Sequence, residues 1–438
     1  MPIVFIHGVN VRDTDEGYAR DVATRGALLR RLVVGPLAEA RRLPSTTVEV
    51  VNPYWGGHGI TFRWDYATLP SPGDFETFGT AGTTPRADLE AEALLTQLGA
   101  GGAGEGGAGL ESMGAEDDPV LSAARRDPVL LVEAALAPLL TGEAGLGQGA
   151  REVTEEAGER EAALLIAADE AARTDEVRAR LSTARTGQAA LDVLLEATLE
   201  SYRKMAAPVP AASGELEPYG LGEDLGHFRE RVRELFRRVS RAPGRAAWLT
   251  LARAARAPAH REITRFLGDV FVYLNDRGTR GEPGDIVATV LGALMGAPRQ
   301  TDGEPLVVLT HSMGGNILYD VLTHYAPDLR VDAWVSFGGQ VGAFEEMKLF
   351  RESEDAVRAP HKVEGLVDPG GTAGVGSWLN VYDPGDVLAF RAGPVFEGVR
   401  DVAFSTGLGG PGSHGDYARR PRFHRLIQEH LAGVLPQL

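Results

Sequence analysis

The residues best suited to chemistry are a serine and the two glycines that follow it. Ser312 comes after the apolar, strand-like run 305–309, and Gly314, Gly315 and a helix-like run over residues 316–322 come next. A strand, a sharp turn and a helix in that order form a nucleophile elbow, in which the serine hydroxyl stands at the end of the strand and helix N–H groups face it. The pattern predicts that Ser312 is a nucleophile rather than a serine with only a turn-forming role.

Partners for an activated serine follow Ser312 along the chain. A serine hydroxyl is a poor nucleophile at neutral pH unless an imidazole accepts its proton and a carboxylate orients that imidazole. A strand-like run over residues 378–382 ends in a turn that holds Asp383 and Asp386, and His414 follows on a glycine-rich loop. Asp383 begins the turn Asp-Pro-Gly-Asp, where an aspartate often bonds the backbone two residues further on. His414 is therefore the expected base, and either aspartate is a candidate acid.

In this order of serine, aspartate and histidine the chain resembles the α/β-hydrolases of the serine lipase and esterase kind. The N-terminal strand that ends in His7 and Gly8 is similar to the His-Gly segment of that family. The resemblance covers residues 1–54 and 263–438 and leaves the region between them uncovered. One departure is Thr310, which stands two residues before the serine, where similar enzymes usually carry glycine.

The resemblance assigns a role to each candidate residue. Asp386, followed by two apolar residues as in the family, is the favoured acid, and Asp383 is the alternative. The resemblance implies Ser312 as nucleophile, His414 as general base and then acid, and Asp386 as the orienting acid. It also implies an oxyanion hole formed by the backbone N–H of Met313 together with that of Gly8 or Val9.

The remaining histidines have structural interpretations. His7 is expected to brace the oxyanion loop, the side chain of His311 to point away from the substrate, and His424 and His430 to lie on the terminal helix. Asp416 is too close to His414 along the chain to be its orienting group. Three further histidines, His58, His227 and His260, lack the close His/Asp pairing of a zinc site. The glycine clusters match no dinucleotide or phosphate-loop fingerprint, so we expect neither a metal nor a cofactor.

The elements that must position these residues alternate between strand and helix. The fold class predicted is α/β, a mostly parallel sheet with helices on both faces and a large helical insertion. Residues 1–59 and 258–438 would form the two parts of an α/β-hydrolase core, and residues 60–257 the insertion or lid. Strands are predicted at residues 2–6, 46–52, 305–309, 331–337, 378–382 and 399–404, and core helices at 17–42, 263–273, 285–294 and 421–434.

The insertion is rich in Ala, Glu, Arg, Leu and Gly, with helical spacing of apolar residues over 127–140, 151–185 and 187–205. Residues 99–109 are nearly all glycine and alanine and predict a flexible loop, and 206–214 a linker. Arginines crowd the stretch from Arg229 to Arg256 among aromatic and apolar residues. This arm could approach anionic lipid, or pair with the acidic remainder of the protein, and the insertion could also dock a protein partner.

Composition narrows the function classes. The 438 residues include 61 acidic and 44 basic side chains, a net charge of −17, which opposes a nucleic-acid partner. Cysteine is missing, so thiol nucleophiles, disulfides and cysteine-ligated metals are excluded. The first residues have no signal-peptide pattern and no long apolar run follows, which predicts a cytoplasmic chain without a membrane span.

These features together predict a serine hydrolase of carboxylic esters, with lipid esters as the expected substrates. A thioesterase or peptidase would use the same three side chains. The alternative from another class is a non-catalytic hydrolase-like module whose insertion binds a protein partner. The natural acyl group and the choice between hydrolysis and transfer to another acceptor stay open.

Overall fold

The centre of the fold is a parallel β-sheet. The computed structural model describes residues 1–15, 17–40, 48–64, 66, 118–141, 155–206, 256–298, 304–407 and 411–435. Six strands follow one another in the order β2-β1-β3-β5-β7-β8, and every neighbouring pair is parallel. These strands are β1 (Ile3–Ile6), β2 (Val50–Val51), β3 (Val307–His311), β5 (Ala333–Phe337), β7 (Trp378–Tyr382) and β8 (Val399–Ala403).

The inner strands are apolar because helices cover both faces of the sheet. All four residues of β1 are buried, and their alternation sends Ile3 and Phe5 to one face and Val4 and Ile6 to the other. The edge strand β8 has no fully buried residue. The carboxyl ends of the parallel strands lie along one edge of the sheet, so loops that follow different strands meet there.

One face is covered by the chain that follows β1 and by the C-terminal helix. Helix α1 (Tyr18–Leu29) runs through a π-helical turn (Arg30–Val34) into α2 (Gly35–Ala40). The opposite face packs on four helices. Each face of the sheet thus has its own apolar core, formed with the helices that cover it. The helices of the opposite face are α8 (Arg256–Asp276), α9 (Asp285–Met295), α10 (Met313–Asp320) and α11 (Val341–Glu346), and the C-terminal helix is α13 (Pro421–Val434).

A helical bundle forms a further layer on the outer side of α1. Its apolar core includes Leu28 and Leu32 from the α1 segment. Contact is close, because a Cβ atom on Gly158 of the bundle would lie 2.5 Å from Cβ of Ala23. The bundle helices are α3 (Pro119–Arg126), α4 (Pro128–Thr141), α5 (Glu155–Arg173), α6 (Asp175–Thr183) and α7 (Gly187–Ala206).

The α/β class with a mostly parallel sheet flanked by helices is confirmed, and several boundaries differ from the expectation. The strand expected over 331–337 is two strands, β4 (Arg330–Val331), which pairs with β6 (Gly374–Val375), and β5 in the main sheet. Between them, the Asp332 carboxylate accepts a hydrogen bond from the N–H of Leu306 at 2.7 Å.

The helix expected over 151–185 is interrupted. Thr174 ends α5 and caps α6, since its hydroxyl accepts the N–H of Val177 at 3.2 Å. Helix α3 was not predicted; Asp118 caps it. The glycine-rich segment 99–109, most of the expected linker 206–214 and the arginine-rich arm lie outside the described residues. Among the helices that the structure describes, none combines the length and the apolar character needed to cross a bilayer.

Candidate active site

Ser312 lies in a strained turn between β3 and α10. Its backbone has φ 53° and ψ −128°, a left-handed conformation that non-glycine residues rarely adopt. The sheet holds it there, because the N–H of Ser312 donates to the carbonyl of Phe337 at 3.0 Å. Gly314 is required for the same packing, since a Cβ atom there would lie 2.5 Å from the carbonyl oxygen of Ile6. The geometry is the sharp strand-to-helix turn that the sequence predicted around Ser312.

Thr310, the departure from the family pattern, is accommodated within the sheet. Its side chain is fully buried, and its hydroxyl accepts a hydrogen bond from the indole N–H of Trp334 at 2.8 Å. Gly315 leaves room beside it, because a Cβ atom at that position would meet Thr310 Oγ1 at 3.4 Å and Val341 Cγ2 at 3.0 Å. A threonine therefore fits where a side chain was expected to crowd the turn.

Ser312, His414 and Asp386 form one hydrogen-bonded chain. His414 Nε2 lies 2.9 Å from Ser312 Oγ, and His414 Nδ1 lies 2.8 Å from Asp386 Oδ2. A neutral imidazole whose Nδ1 proton faces the carboxylate keeps Nε2 as an acceptor for the serine proton. The three side chains come from the turn after β3, the turn after β7 and the short helix α12 (Pro411–His414).

The two candidate acids are separated by their hydrogen bonds. Besides His414, the Asp386 carboxylate accepts the N–H of Leu388 at 2.9 Å and the hydroxyl of Tyr417 at 3.2 Å. Asp383 instead accepts the N–H of Gly385 at 2.8 Å, and the N–H and hydroxyl of Thr406, both at 2.7 Å. Asp383 therefore holds its own turn and the chain after β8, and it is Asp386 that contacts the imidazole.

The expected oxyanion donors lie next to Ser312. A Cβ atom on Gly8 would be 2.6 Å from Ser312 Cβ, so the loop after β1 passes directly against the serine. Met313 is the first residue of α10, and the first N–H groups of a helix have no partner within it. The N–H groups of Met313 and of the Gly8–Val9 segment are thus available on elements that flank one hydroxyl.

His7 fixes the direction of the Gly8–Val9 peptide. Its ring stacks on Trp55 at 4.8 Å, Nδ1–H donates to the Gly8 carbonyl at 2.7 Å, and Nε2 accepts the N–H of Trp55 at 3.1 Å. Burial lowers the pKa of His7 to about 4, which keeps the ring neutral and suits both bonds. Because C=O and N–H point in opposite directions across a trans peptide, this bond turns the Val9 N–H away from His7.

Two contacts of the site had not been foreseen. His311 Nε2 donates to the carbonyl of His414 at 2.7 Å, and burial lowers the His311 pKa to about 3, so the ring acts as a neutral donor. Gln340 Nε2 lies 3.4 Å from Ser312 Oγ and donates to the carbonyls of Gly338 at 2.9 Å and Leu388 at 2.7 Å. The first could have been suspected from its place beside the serine, whereas nothing in the sequence around Gln340 marks it.

The loop after β1 is also held by a residue that is distant in the sequence. The fully buried Asp269 of α8 binds Arg12 through both oxygens, at 2.6 and 3.1 Å, and accepts the N–H groups of Asn10 at 2.9 Å and Ile60 at 2.8 Å. Asn10 has a left-handed φ of 64°. An aspartate that follows the insertion in the chain thus shapes the turn beside Gly8.

A metal site would require several acidic or histidine side chains close together. No group of three or more potential ligands converges within the residues that the structure describes. His58 lies 3.7 Å from a carboxylate oxygen of the exposed Asp285. His227 and the side chain of His260 are outside the described part of the chain.

We expect Gly8→Ala to lower kcat/KM on the order of 10²-fold, because the added methyl group must displace either the loop or Ser312 and small misplacements of reacting groups are costly. Ester hydrolysis at saturating and limiting substrate would measure the change. Gly292→Ala on α9 is the matched control, since a Cβ atom there meets nothing within 4 Å. Unchanged kinetics in Gly8→Ala would contradict the placement of this loop beside the reacting atoms.

Buried neutral histidines make stability fall with acidification. Burial lowers the pKa values of His424 and His7 to about 4 and that of His311 to about 3. Below the unfolded value of 6.5 the unfolded chain binds protons that the folded chain does not, so each group removes stability as the pH falls from 6.5 toward 4, at up to about 1.4 kcal/mol per pH unit.

Urea unfolding between pH 7 and pH 5 tests this linkage. His424→Gln should reduce the pH slope of the unfolding free energy by about one proton, because the titrating imidazole is removed. The fold should be kept, since glutamine can form a bond like the one that His424 Nε2 donates to the Ala418 carbonyl at 2.8 Å. The exposed His361→Gln is the control and should keep the wild-type slope. A slope in His424→Gln equal to that of wild type would refute the assignment.

Comparison with known proteins gives no further identification: no family model, no curated protein and no solved structure matches the chain. The functional inference therefore rests on the geometry of the site.

Proposed function

We propose that the chain is a serine hydrolase of the α/β-hydrolase type that cleaves carboxylic esters. The observation that carries the proposal is the pair of distances on His414, 2.9 Å to Ser312 Oγ and 2.8 Å to Asp386 Oδ2. Ser312 and Asp386, which precede His414 by 102 and 28 positions in the chain, both contact its imidazole. Few structural roles require that arrangement, whereas proton transfer from a serine does.

The mechanism follows from which atoms carry protons. His414 Nε2 takes the proton of Ser312 as Oγ attacks the ester carbonyl carbon, and Asp386 stabilises the resulting imidazolium. The carbonyl oxygen becomes an oxyanion, which the N–H of Met313 and that of Gly8 or Val9 would stabilise. His414 then protonates the leaving alcohol, an acyl-enzyme forms, and water repeats the sequence to release the acid.

Support for the α/β-hydrolase type comes from the order of the parts along the sheet. The serine follows β3, a central strand, the acid follows β7, and the histidine lies beyond β8. The His7-Gly8 segment follows β1, which pairs with β3 along its whole length. This is the chain order and strand placement of the family that the sequence resembles.

An apolar acyl substrate is supported by the surroundings of the acid. A cavity of about 420 Å³ adjoins Asp386; its lining mixes apolar and charged side chains and includes neither Ser312 nor His414, so the apolar preference rests on the exposed side chains nearby. Val387 and Phe390, beside it, expose 75% and 42% of their surface, so apolar side chains lie at the surface within a few residues of the acid. We therefore propose lipid esters as the substrate class. The cavity is lined by Ala343, Glu346, Tyr382, Asp383, Pro384, Asp386, Ala389, Phe390, Arg391, Pro394 and Val395.

A fluorophosphonate probe tests the reaction class, because it phosphonylates only a serine that a neighbouring base activates. We expect wild-type protein to be labelled at Ser312 and to hydrolyse p-nitrophenyl esters, with a preference that rises with acyl length. Peptide and thioester substrates in the same assay separate the proteases and thioesterases that share this site. An unlabelled wild-type protein would favour a non-catalytic module that binds a partner through its insertion.

A further inference from the structure

The chain on either side of His414 is connected to one residue of the helical bundle, Glu133, through its carboxylate and its backbone carbonyl. Glu133 on α4 is fully buried, and its carboxylate accepts Arg422 Nε at 2.7 Å and the N–H of Arg422 at 3.4 Å. Arg422 Nη2 in turn donates to the carbonyl of Ser405 at 3.0 Å. Ser405 lies between β8 and His414, so this bond holds the chain that leads into the histidine.

A second arginine makes the matching connection after the histidine. Arg420, 1% exposed, donates from Nη1 to the backbone carbonyl of Glu133 at 2.6 Å. The same guanidinium forms a buried ion pair with Asp416, two residues after His414. The carbonyl and the carboxylate of one bundle residue thus meet two arginines, one bound before His414 and one bound after it.

The place of Glu133 in its own helix argues against a purely stabilising role. Helix α4 reads Pro-Val-Leu-Leu-Val-Glu-Ala-Ala-Leu-Ala-Pro-Leu-Leu-Thr, with this glutamate as its only charged residue. Burial raises the pKa of Glu133, and the charges of Arg422 and Arg420 oppose that shift. Removing a carboxylate and a guanidinium from water costs about as much as their attraction returns, so an apolar pair of similar size would hold the helices at least as well. Unlike an apolar pair, the hydrogen bonds of Glu133 with Arg422 and Arg420 fix the orientation of the groups that they join.

We propose that Glu133 is a positioning residue for His414, and that the helical bundle braces the catalytic histidine through Arg420 and Arg422. The inference rests on the proposed function, because it assigns to the bundle the task of holding the base of that reaction. The contacts on the inner side are separate: His311 binds the carbonyl of His414, and Thr406 binds Asp383. The bundle supplies the contacts of Arg420 and Arg422 with Glu133. This role differs from that of a lid over the substrate.

Two variants test the brace in the full-length chain. Glu133→Gln keeps the shape and removes the charge. The double variant Glu133→Leu with Arg422→Leu removes both partners, so that no charge stays buried alone and folding is preserved. Glu200→Gln is the matched control, because Glu200 is an exposed glutamate of the same bundle, paired with Lys204 at 2.8 Å.

The readouts are the rate of fluorophosphonate labelling at Ser312, the substrate KM, the thermal midpoint, and hydrogen exchange in peptides covering residues 411–420. We expect labelling in the double variant to slow on the order of 10- to 100-fold, as for small displacements of a catalytic group. KM and the thermal midpoint should stay near wild type, exchange over 411–420 should rise, and Glu133→Gln should change in the same direction by less. A merely structural pair would leave labelling and exchange unchanged once the fold is retained.

The outcomes separate this proposal from the one on which it rests. Wild-type labelling rates in both Glu133 variants, with wild-type protein active, would overturn the brace and leave the reaction class intact. If wild-type protein is not labelled, the proposed function fails. The brace is then supported if hydrogen exchange over residues 411–420 rises in the double variant and not in Glu200→Gln, and it is contradicted if exchange is unchanged.

Discussion

Replacing Ser312 by alanine is expected to lower kcat on the order of 10⁶-fold and to abolish fluorophosphonate labelling, because the alanine side chain has no nucleophile for His414 to activate. The fold should persist, because among the residues that the structure describes the lost hydroxyl bonds only His414 at 2.9 Å and, weakly, Gln340 at 3.4 Å. Single-turnover hydrolysis of a p-nitrophenyl ester and circular dichroism measure the two effects.

Controls for Ser312→Ala follow from the backbone. The exposed Ser182→Ala on α6 should be labelled like wild type. Ser312→Gly should be as inactive as the alanine variant. It should also be more stable than that variant, because a φ of 53° costs non-glycine residues strain of order 1–3 kcal/mol and costs glycine little. Residual labelling in either Ser312 variant would place the reactive serine elsewhere.

The second large effect is expected at the acid. Asp386→Asn should lower kcat on the order of 10⁴-fold, because an amide facing His414 Nδ1 favours the tautomer whose Nε2 already carries a proton. KM should change little, since the carboxylate contacts the imidazole and not the substrate. A pH–rate series on the variant and wild type would show the loss at every pH at which both are folded.

Asp383→Asn is the matched comparison, three positions away on the same turn. Its carboxylate accepts bonds from Gly385 and Thr406 and none from His414. An amide group there leaves one of these buried donors unsatisfied, so the unfolding free energy should drop by about 1–3 kcal/mol. Hydrolysis below the unfolding midpoint should stay within about tenfold of wild type, far above Asp386→Asn. The reverse ranking would exchange the roles of the two aspartates.

Local patterns were enough to predict much of the sheet and the elbow. Burial on both faces makes the inner strands uninterrupted apolar runs, so β1, β3 and β7 could be found within two residues of their bounds. Ser312 stands out as a candidate nucleophile for the same reason: the strand before it, the glycines after it and the helix behind it are neighbours in the chain. The short range of these signals also explains the errors, such as the expected single strand over 331–337, where Asp332 divides the run between two sheets.

Contacts between residues far apart in the sequence determined the rest of the site. The apolar residues after Asp386 favoured it over Asp383 as the acid, but which carboxylate contacts His414, 28 residues beyond Asp386, depends on the tertiary structure. Gln340 meets Ser312 because the turns after the neighbouring strands β3 and β5 lie side by side, and Asp269 reaches Arg12 across 257 positions. The bundle showed helical spacing, yet its attachment through Glu133 to Arg422, 289 positions away, depends on where the folded bundle lies relative to the start of α13. Periodicity reports which face of an element is buried, whereas partners across the fold are selected by the shape and charge of whole surfaces that exist only once the chain has folded.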